Sequence, residues 1–238
     1  MFVLCIVFFA PPFFPVSLVG FSLNSNLFSF PISFCAEGSA WSISSSAIRL
    51  VFAGLDGFDV CEPCFYDPTA PMGDPRAPLK DTFALKATML KYFEIGEPSG
   101  MLNIMYGEAF KKSQVAGFAK EVARLASEGD ACAKELLGKA GRELGANLRA
   151  LLAGSSRVNY AIPEVLSVVC VGSVWKSWEL FKDSFLRAAR AGSSALKGVR
   201  LLRLKETSAV GAAWKAALLA GHTLPLDASK LTSTLYEG

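Results

Sequence analysis

Two cysteines separated by two residues are the first feature of this sequence that could carry chemistry. Cys61 and Cys64 have the spacing of a thiol–disulfide exchange motif, or of half a zinc site. A zinc site needs four ligands, and the sequence has neither a second such pair nor two histidines. A redox motif belongs at a helix start, whereas residues 59–79 hold five prolines and are typical of a loop. We therefore interpret the pair as loop thiols, and Cys132 and Cys170 as small buried side chains.

The charge and the histidine content exclude several classes of function. The 238-residue chain has 24 basic and 21 acidic residues, and its net charge of +3 is too small to indicate nucleic-acid binding. The one histidine, His222, excludes any mechanism that needs two imidazoles. Because it directly follows Gly221, we expect it to stabilise the end of a helix. The basic residues between Arg187 and Lys205 are interpreted as a solvated face.

A further candidate for a ligand-binding site is the junction between a predicted strand and the helix that follows it. Gly172 and Ser173 follow the apolar run at residues 165–171. Glycine lets a ligand approach the backbone closely, and free N–H groups at a helix start favour anions. Ligands of α/β sheets bind at the carboxyl ends of strands. A plain strand-to-helix turn would have the same pattern, so the junction by itself does not distinguish a nucleotide site from a turn.

Apolar periodicity predicts a helical region from residue 37 to about residue 155. Residues 40–56 have helical spacing, with Leu55 among the apolar positions, and residues 79–93 predict an amphipathic helix with Phe83 toward the core. A helix follows Ser113, and Asp130 is expected to cap the longest helix. The predicted core side chains of these last two helices are Val115, Phe118, Val122, Leu125, Leu137, Ala140, Leu144, Leu148 and Leu151.

In the region of about 164–222, the apolar residues no longer follow helical spacing alone, and short strand-like runs alternate with helical segments. Residues 165–171 are a short apolar run rich in β-branched residues, which predicts a buried strand, and residues 199–204 (VRLLRL) are interpreted as a second strand of the same kind. A helix between them places Trp175, Trp178, Phe181, Phe185 and Leu186 for packing. A further helix is expected to be capped by Thr207 and closed by Gly221. Strand–helix–strand–helix order predicts a parallel βαβα unit after a helical subdomain, so the fold class is α/β with a helix-rich half.

The first 36 residues differ from the rest of the chain. No charged residue precedes Glu37, and nine of the 18 phenylalanines lie before Cys35. Residues 2–21 are long enough for a membrane helix or a signal-peptide core. Against both readings, the prolines between residues 11 and 15 interrupt the run, and no Lys or Arg precedes it. The alternative that we favour is translated non-coding sequence, so that residues 1–36 are not native protein sequence.

Several strings after Glu37 resemble one known family. CVGSVWKSWELFKDSF at residues 170–185, KAGRELGANLRALL at 139–152 and VAGF at 115–118 resemble the C-terminal domain of eukaryotic N-acetylglucosamine kinase. Residues 37–40 (EGSA) are similar to the family's Gly-Asp-Glu-Gly-Ser segment, and residues 207–213 to its last helix. The resemblance covers the chain from Glu37 onward, and GSVWKSW is its most specific string.

The resemblance implies a fold and an activity. The family has the actin/hexokinase-like fold of two ribonuclease-H-like domains, and it transfers the γ-phosphate of ATP, with Mg²⁺, to the 6-hydroxyl of N-acetylglucosamine. By matching residues, Gly172, Ser173 and Ser177 are expected to contact ATP, and Ala116 to line the other side of the adenosine pocket. A cytoplasmic location and assembly as a homodimer are also implied.

The chain departs from the family at the catalytic apparatus. Phosphoryl transfer needs a phosphate cradle and a base; the family's N-terminal domain supplies both, and the sequence has no Asp-Gly-Gly-type loop. Ala36 stands where an aspartate that holds the sugar is expected. We therefore expect residues 37–238 to be the C-terminal half of a kinase, without its N-terminal lobe and its catalytic residues. Two alternatives stay open: a non-catalytic module that pairs with full-length kinase, and an α/β protein anchored in a membrane by residues 2–21.

Overall fold

The structure, a computed structural model, is a mixed α/β protein that is mostly helical and has a small sheet. The α/β class predicted from the sequence is therefore confirmed. The structure describes residues 7–9, 37–57, 82–108, 110–154, 164–191, 197–206, 208–223, 225 and 228–238. It divides into a helical unit, whose elements come from residues 31–153 and 176–192, and a sheet unit, whose elements come from residues 3–30, 154–175 and 193–238.

The helical unit begins with a helix that is capped by a serine. Ser39 accepts a hydrogen bond from the backbone N–H of Ser42 at 3.2 Å, which satisfies one of the donors left free at the helix start. The helices of this unit are α1 (Ala40–Leu55), α2 (Phe83–Phe93), α3 (Met101–Tyr106), α4 (Lys112–Gly117), α5 (Ala119–Ser127), α6 (Ala131–Gly154) and α7 (Trp178–Arg190).

Two glycines bring α6 and α7 into close contact. A Cβ added at Gly141 would lie 2.7 Å from the carbonyl oxygen of Phe181, and one added at Gly145 would lie 2.4 Å from that of Phe185. Both glycines therefore leave space that the α7 backbone fills.

At the start of α6, Asp130 Oδ1 accepts a hydrogen bond from the N–H of Ala133 at 2.7 Å, so the predicted cap is confirmed.

The core of the helical unit agrees with most of the predicted apolar stripes. The predicted core residues of α4, α5 and α6 are buried, apart from Leu151, whose side chain lies outside the described residues. The prediction for Phe83 is wrong, since its side chain is 74% exposed; Leu55, one of the apolar positions of the predicted helical spacing, is 46% exposed. Phe83 lies two positions before the buried Leu85, which places it on the opposite face of α2. Leu55 is the last residue of α1, beyond the buried Val51.

The sheet unit contains the two predicted strands and two further ones. Its strands are β1 (Val7–Phe9), β2 (Val165–Cys170), β3 (Gly198–Leu204) and β4 (Thr232–Glu237), in that order across the sheet. β2 and β3 are parallel, as predicted, and their register pairs Val165 with Gly198 and Cys170 with Arg203. β1 is antiparallel to β2, and β4 is antiparallel to β3. The sequence analysis predicted neither of these antiparallel strands.

A left-handed glycine ends helix α8 (Ser208–Leu219), as the sequence predicted. Gly221 has φ +82°, and the N–H groups of His222 and Gly221 donate to the carbonyls of Ala217 and Leu218. These two bonds form a Schellman motif. The short helix α9 (Ala228–Leu231) precedes β4. The predicted cap at Thr207, the loop at residues 59–79 and most of residues 1–36 lie outside the described residues.

Candidate functional site

The turn that follows β2 is the most exposed of the predicted contact points. Gly172 and Ser173 are both exposed, and they lie directly after Val171 at the carboxyl end of the strand. Gly172 has φ +112°, a conformation that glycine adopts without strain. Apart from its two chain neighbours, no described atom lies within 4 Å of the position that its Cβ would take. A ligand could therefore reach the backbone at Gly172 and the hydroxyl of Ser173 from solvent.

Ser177 lies in the helical unit, at the N-cap position of α7. A 3₁₀ turn, Ser173–Ser177, joins the strand to this helix. Ser177 is half-buried, and its side chain makes no capping hydrogen bond. Its hydroxyl is therefore not required to begin the helix. Lys176, beside it, is exposed.

Ala116 lies in the helical unit, near the end of α4, and it is 4% exposed. Its carbonyl accepts a hydrogen bond at 3.3 Å from Ser44, a buried hydroxyl on α1. This bond explains why a serine is tolerated in the core, because a buried hydroxyl needs a partner. The residue after Ala116, Gly117, is half-buried and faces the side chain of Tyr92.

Tyr92 packs among aromatic rings beside the end of α4. Its ring centroid lies 4.9 Å from that of Phe93 and 5.5 Å from that of Phe118. Its hydroxyl donates a hydrogen bond to the carbonyl of Gln114 at 3.0 Å. Partial burial, and then the negative charge of Glu121, raise the pKa of Tyr92 above its ordinary value. The tyrosine therefore stays protonated and remains a hydrogen-bond donor at neutral pH. The sequence analysis did not single out Tyr92.

A carboxylate on α6 holds the segment at Glu37, Gly38 and Ser39. Glu143 Oε2 accepts a hydrogen bond from the N–H of Gly38 at 2.6 Å and one from the hydroxyl of Ser42 at 3.4 Å. Its other oxygen forms an ion pair with Lys139 Nζ at 2.9 Å. These contacts fix the head of α1 on α6. The sequence analysis did not identify Glu143, although the i,i+4 spacing from Lys139 was a visible signal of an ion pair.

An open cleft between the starts of α6 and α7 was also not predicted. It encloses about 370 Å³, and none of the predicted nucleotide contacts lines it. Charged groups on its walls pair with one another, as Arg142 does with Glu135 and Lys182 with Glu179.

The two cysteines with described positions lie in the core. Cys132 and Cys170 are buried, as the sequence predicted, and burial raises the pKa of the Cys170 thiol far above its ordinary value. A buried thiol with a raised pKa has almost no thiolate, which is the reactive form. Cys61 and Cys64 lie outside the described residues.

The described residues contain neither a metal centre nor a membrane span. Within them, no three His, Cys, Asp or Glu side chains lie close enough together to hold a metal ion. No helix in the same part of the chain is long and apolar enough to cross a membrane. A comparison of the sequence with models of known protein families finds no match.

Proposed function

We propose that this chain is the adenosine-side half of a cytoplasmic, ATP-dependent N-acetylglucosamine kinase, with the ribonuclease-H-like fold of that family's C-terminal domain. The observation that carries the proposal is the turn at Gly172 and Ser173. It follows a strand that is paired in parallel with its neighbour, which is the position where α/β proteins bind nucleotides. The same turn falls within the string that most specifically resembles the family.

Each predicted contact has a defined part in this proposal. Gly172 leaves the backbone accessible to the nucleotide, and the hydroxyl of Ser173 supplies a hydrogen bond. Ala116 and Ser177 are assigned to the adenosine by resemblance. Mg²⁺, when bound with ATP, would neutralise phosphate charge. Because the sequence has no Asp-Gly-Gly-type loop and Ala36 stands where an aspartate is expected to hold the sugar, we propose nucleotide binding without phosphoryl transfer.

A titration of the full chain with a ribose-labelled fluorescent ATP analogue tests the proposal. We expect weak binding that Ser173→Ala reduces by about 3- to 10-fold, the effect of one hydrogen bond to a ligand. Ser127→Ala is the matched control, because that exposed hydroxyl donates only to the carbonyl of Arg124 in its own helix. No binding at millimolar analogue, or equal affinity in Ser173→Ala, would contradict the proposal. Rapid phosphorylation of N-acetylglucosamine would contradict the proposed catalytic deficiency instead.

The exposure of α8 favours a second candidate function, a non-catalytic module that pairs with full-length kinase. The described side chains of this helix are exposed, apart from the half-buried Trp214 and Ala217. They include Val210 at 38%, Leu218 at 37% and Leu219 at 77% exposure. An apolar helix left in water is stabilised when a partner covers it. We propose full-length kinase as that partner because residues 207–213 resemble the last helix of the family.

Pairing with full-length kinase can be measured by mass photometry of the mixed proteins. We expect a complex that Leu219→Lys abolishes, because a charge would be buried at the contact. Tyr106→Lys is the control, since Tyr106 is 83% exposed on another helix. If no complex forms at micromolar concentrations, or if both variants weaken it equally, the second candidate is wrong.

A further inference from the structure

The hydroxyl of Tyr92 occupies the space where Gly117 lacks a side chain. A Cβ added at Gly117 would lie 2.3 Å from the Tyr92 oxygen and 3.6 Å from the ring carbon that bears it. A distance of 2.3 Å is far inside van der Waals contact, whereas 3.6 Å is an ordinary contact. The hydroxyl therefore accounts for the absence of a side chain at residue 117.

Three contacts hold the hydroxyl in this place. It donates to the carbonyl of Gln114, three residues before Gly117 on the same helix. The ring is supported by Phe93 and Phe118, which also contact each other with their centroids 5.4 Å apart. Phe118 is fully buried, so the support is part of the core. Because α2 carries the tyrosine and α4 carries the acceptor, the hydrogen bond joins two helices of the same unit.

Tyr92 is the one described residue that covers Gly117. Apart from its two chain neighbours and the backbone of its own helix, no other described atom lies within 4 Å of the missing Cβ position. A flat group that approaches the backbone next to Ala116 from this side would meet the tyrosine hydroxyl first. It could reach the backbone only after the hydroxyl had left the Gln114 carbonyl, because the two cannot occupy the same space.

We infer that Tyr92 gates the adenosine side of the proposed nucleotide site: its hydroxyl closes the space at Gly117 while it is bonded to Gln114, and a nucleotide base opens it. The inference rests on the proposed function, since Ala116 is assigned to the adenosine there. Tyr92 acts as a positioning residue that sets how much of the binding free energy is used to open the site.

Titration of the full chain and its Tyr92→Phe variant with the ribose-labelled ATP analogue tests the gate. The variant keeps the ring but has no hydrogen bond to break, so we expect its affinity to rise by roughly 2- to 10-fold. Tyr106→Phe removes an exposed hydroxyl from the same unit and should leave the affinity unchanged. Unchanged or lower affinity in Tyr92→Phe overturns the gate while leaving nucleotide binding intact. No binding by any of the three proteins overturns the proposed function, and the gate with it.

A thermal-unfolding cycle tests the geometry without any ligand. Gly117→Ala should lower Tm by several degrees when residue 92 is tyrosine, because the new methyl displaces the hydroxyl from Gln114. In the Tyr92→Phe background the nearest atom is the ring carbon at 3.6 Å. There the same change should shift Tm by less than about 2 °C. Equal shifts in the two backgrounds would show that the hydroxyl does not cover Gly117, and would overturn the inference.

Discussion

Replacing Gly38 with alanine should strongly destabilise the helical unit. Gly38 has φ +74°, where a Cβ costs about 1–2 kcal/mol. The added Cβ would also lie 2.5 Å from Leu144 Cγ and 2.9 Å from the carbonyl oxygen of Ala140. Leu144 is buried and the carbonyl is backbone, so neither can move cheaply, and overpacking of this kind costs about 1–3 kcal/mol. The reduced entropy of the unfolded chain offsets about 0.4–1 kcal/mol. We expect a net loss of about 2–4 kcal/mol.

Two other glycines in the same unit separate the strain from the clash. Gly57 has φ +72° and, apart from its chain neighbours, no described atom lies within 4 Å of its missing Cβ, so Gly57→Ala should show the backbone cost alone, about 1 kcal/mol. Gly96 has neither a positive φ nor a near neighbour. Gly96→Ala should therefore be neutral or slightly stabilising. The three variants form a series in which each adds one cause of destabilisation.

Urea unfolding followed by far-ultraviolet circular dichroism measures the series. We expect the midpoint to decrease from Gly96→Ala to Gly57→Ala to Gly38→Ala, with an unchanged dependence on urea concentration. Equal losses at Gly38 and Gly57 would show that Leu144 and Ala140 relax freely, which would refute the packing argument. An effect of Gly38→Ala below about 0.5 kcal/mol would refute the close contact between the head of α1 and α6.

Three further predictions concern side chains. Phe118→Ala should lower the free energy of unfolding by about 3–5 kcal/mol, because the ring is fully buried. Phe83→Ala should change the free energy of unfolding by less than about 0.5 kcal/mol, because that ring is exposed. Urea unfolding of the two variants measures both values. Glu143→Ala should increase amide hydrogen exchange at Gly38, and Glu143→Gln should restore most of the protection, because it keeps an acceptor oxygen. A hydrogen bond from Arg200 lowers the pKa of Glu237 below its ordinary value of 4.5. The ion pair therefore stabilises the folded state above pH 4.5, and this stabilisation is lost as the pH falls through the lower pKa that Glu237 has in the folded state. Glu237→Gln should therefore make Tm fall less steeply from pH 6 to pH 2, and an identical slope would contradict this.

Local patterns predicted the elements better than they predicted the contacts between them. The cap at Asp130 and the helix end at Gly221 follow from side-chain and backbone preferences within a few residues, and both are confirmed. The parallel pairing of β2 and β3 follows from the helix pattern between them. The short strand β4 was not predicted, because its residues Thr232–Glu237 alternate weakly between polar and apolar and their pairing depends on β3.

The candidate site was predicted only where a local signal marked it. Gly172 stands out because glycine follows a buried strand, and the structure gives it a positive φ. Tyr92 carries no such signal, and the spacing of Glu143 from Lys139 indicates only an ion pair within α6. Their roles depend on partners 22 and 105 residues away, which become neighbours only when helices pack. An ordinary tyrosine or glutamate in a helix pattern is indistinguishable from a solvated one until that packing is known.

The close contact of α6 with α7 has a consequence for synthesis of the chain. Gly141 and Gly145 weaken α6 as an isolated helix, since each costs about 1 kcal/mol relative to alanine. The backbone that packs against these two glycines, and so offsets their cost, belongs to α7. This helix begins only at Trp178, so it is synthesised after β2. While β2 has left the ribosome and α7 has not, α6 therefore has an uncovered face and β2 lacks its parallel neighbour β3. The helical unit is completed only after its interrupting strand has emerged, and during that interval the chain depends most on chaperones.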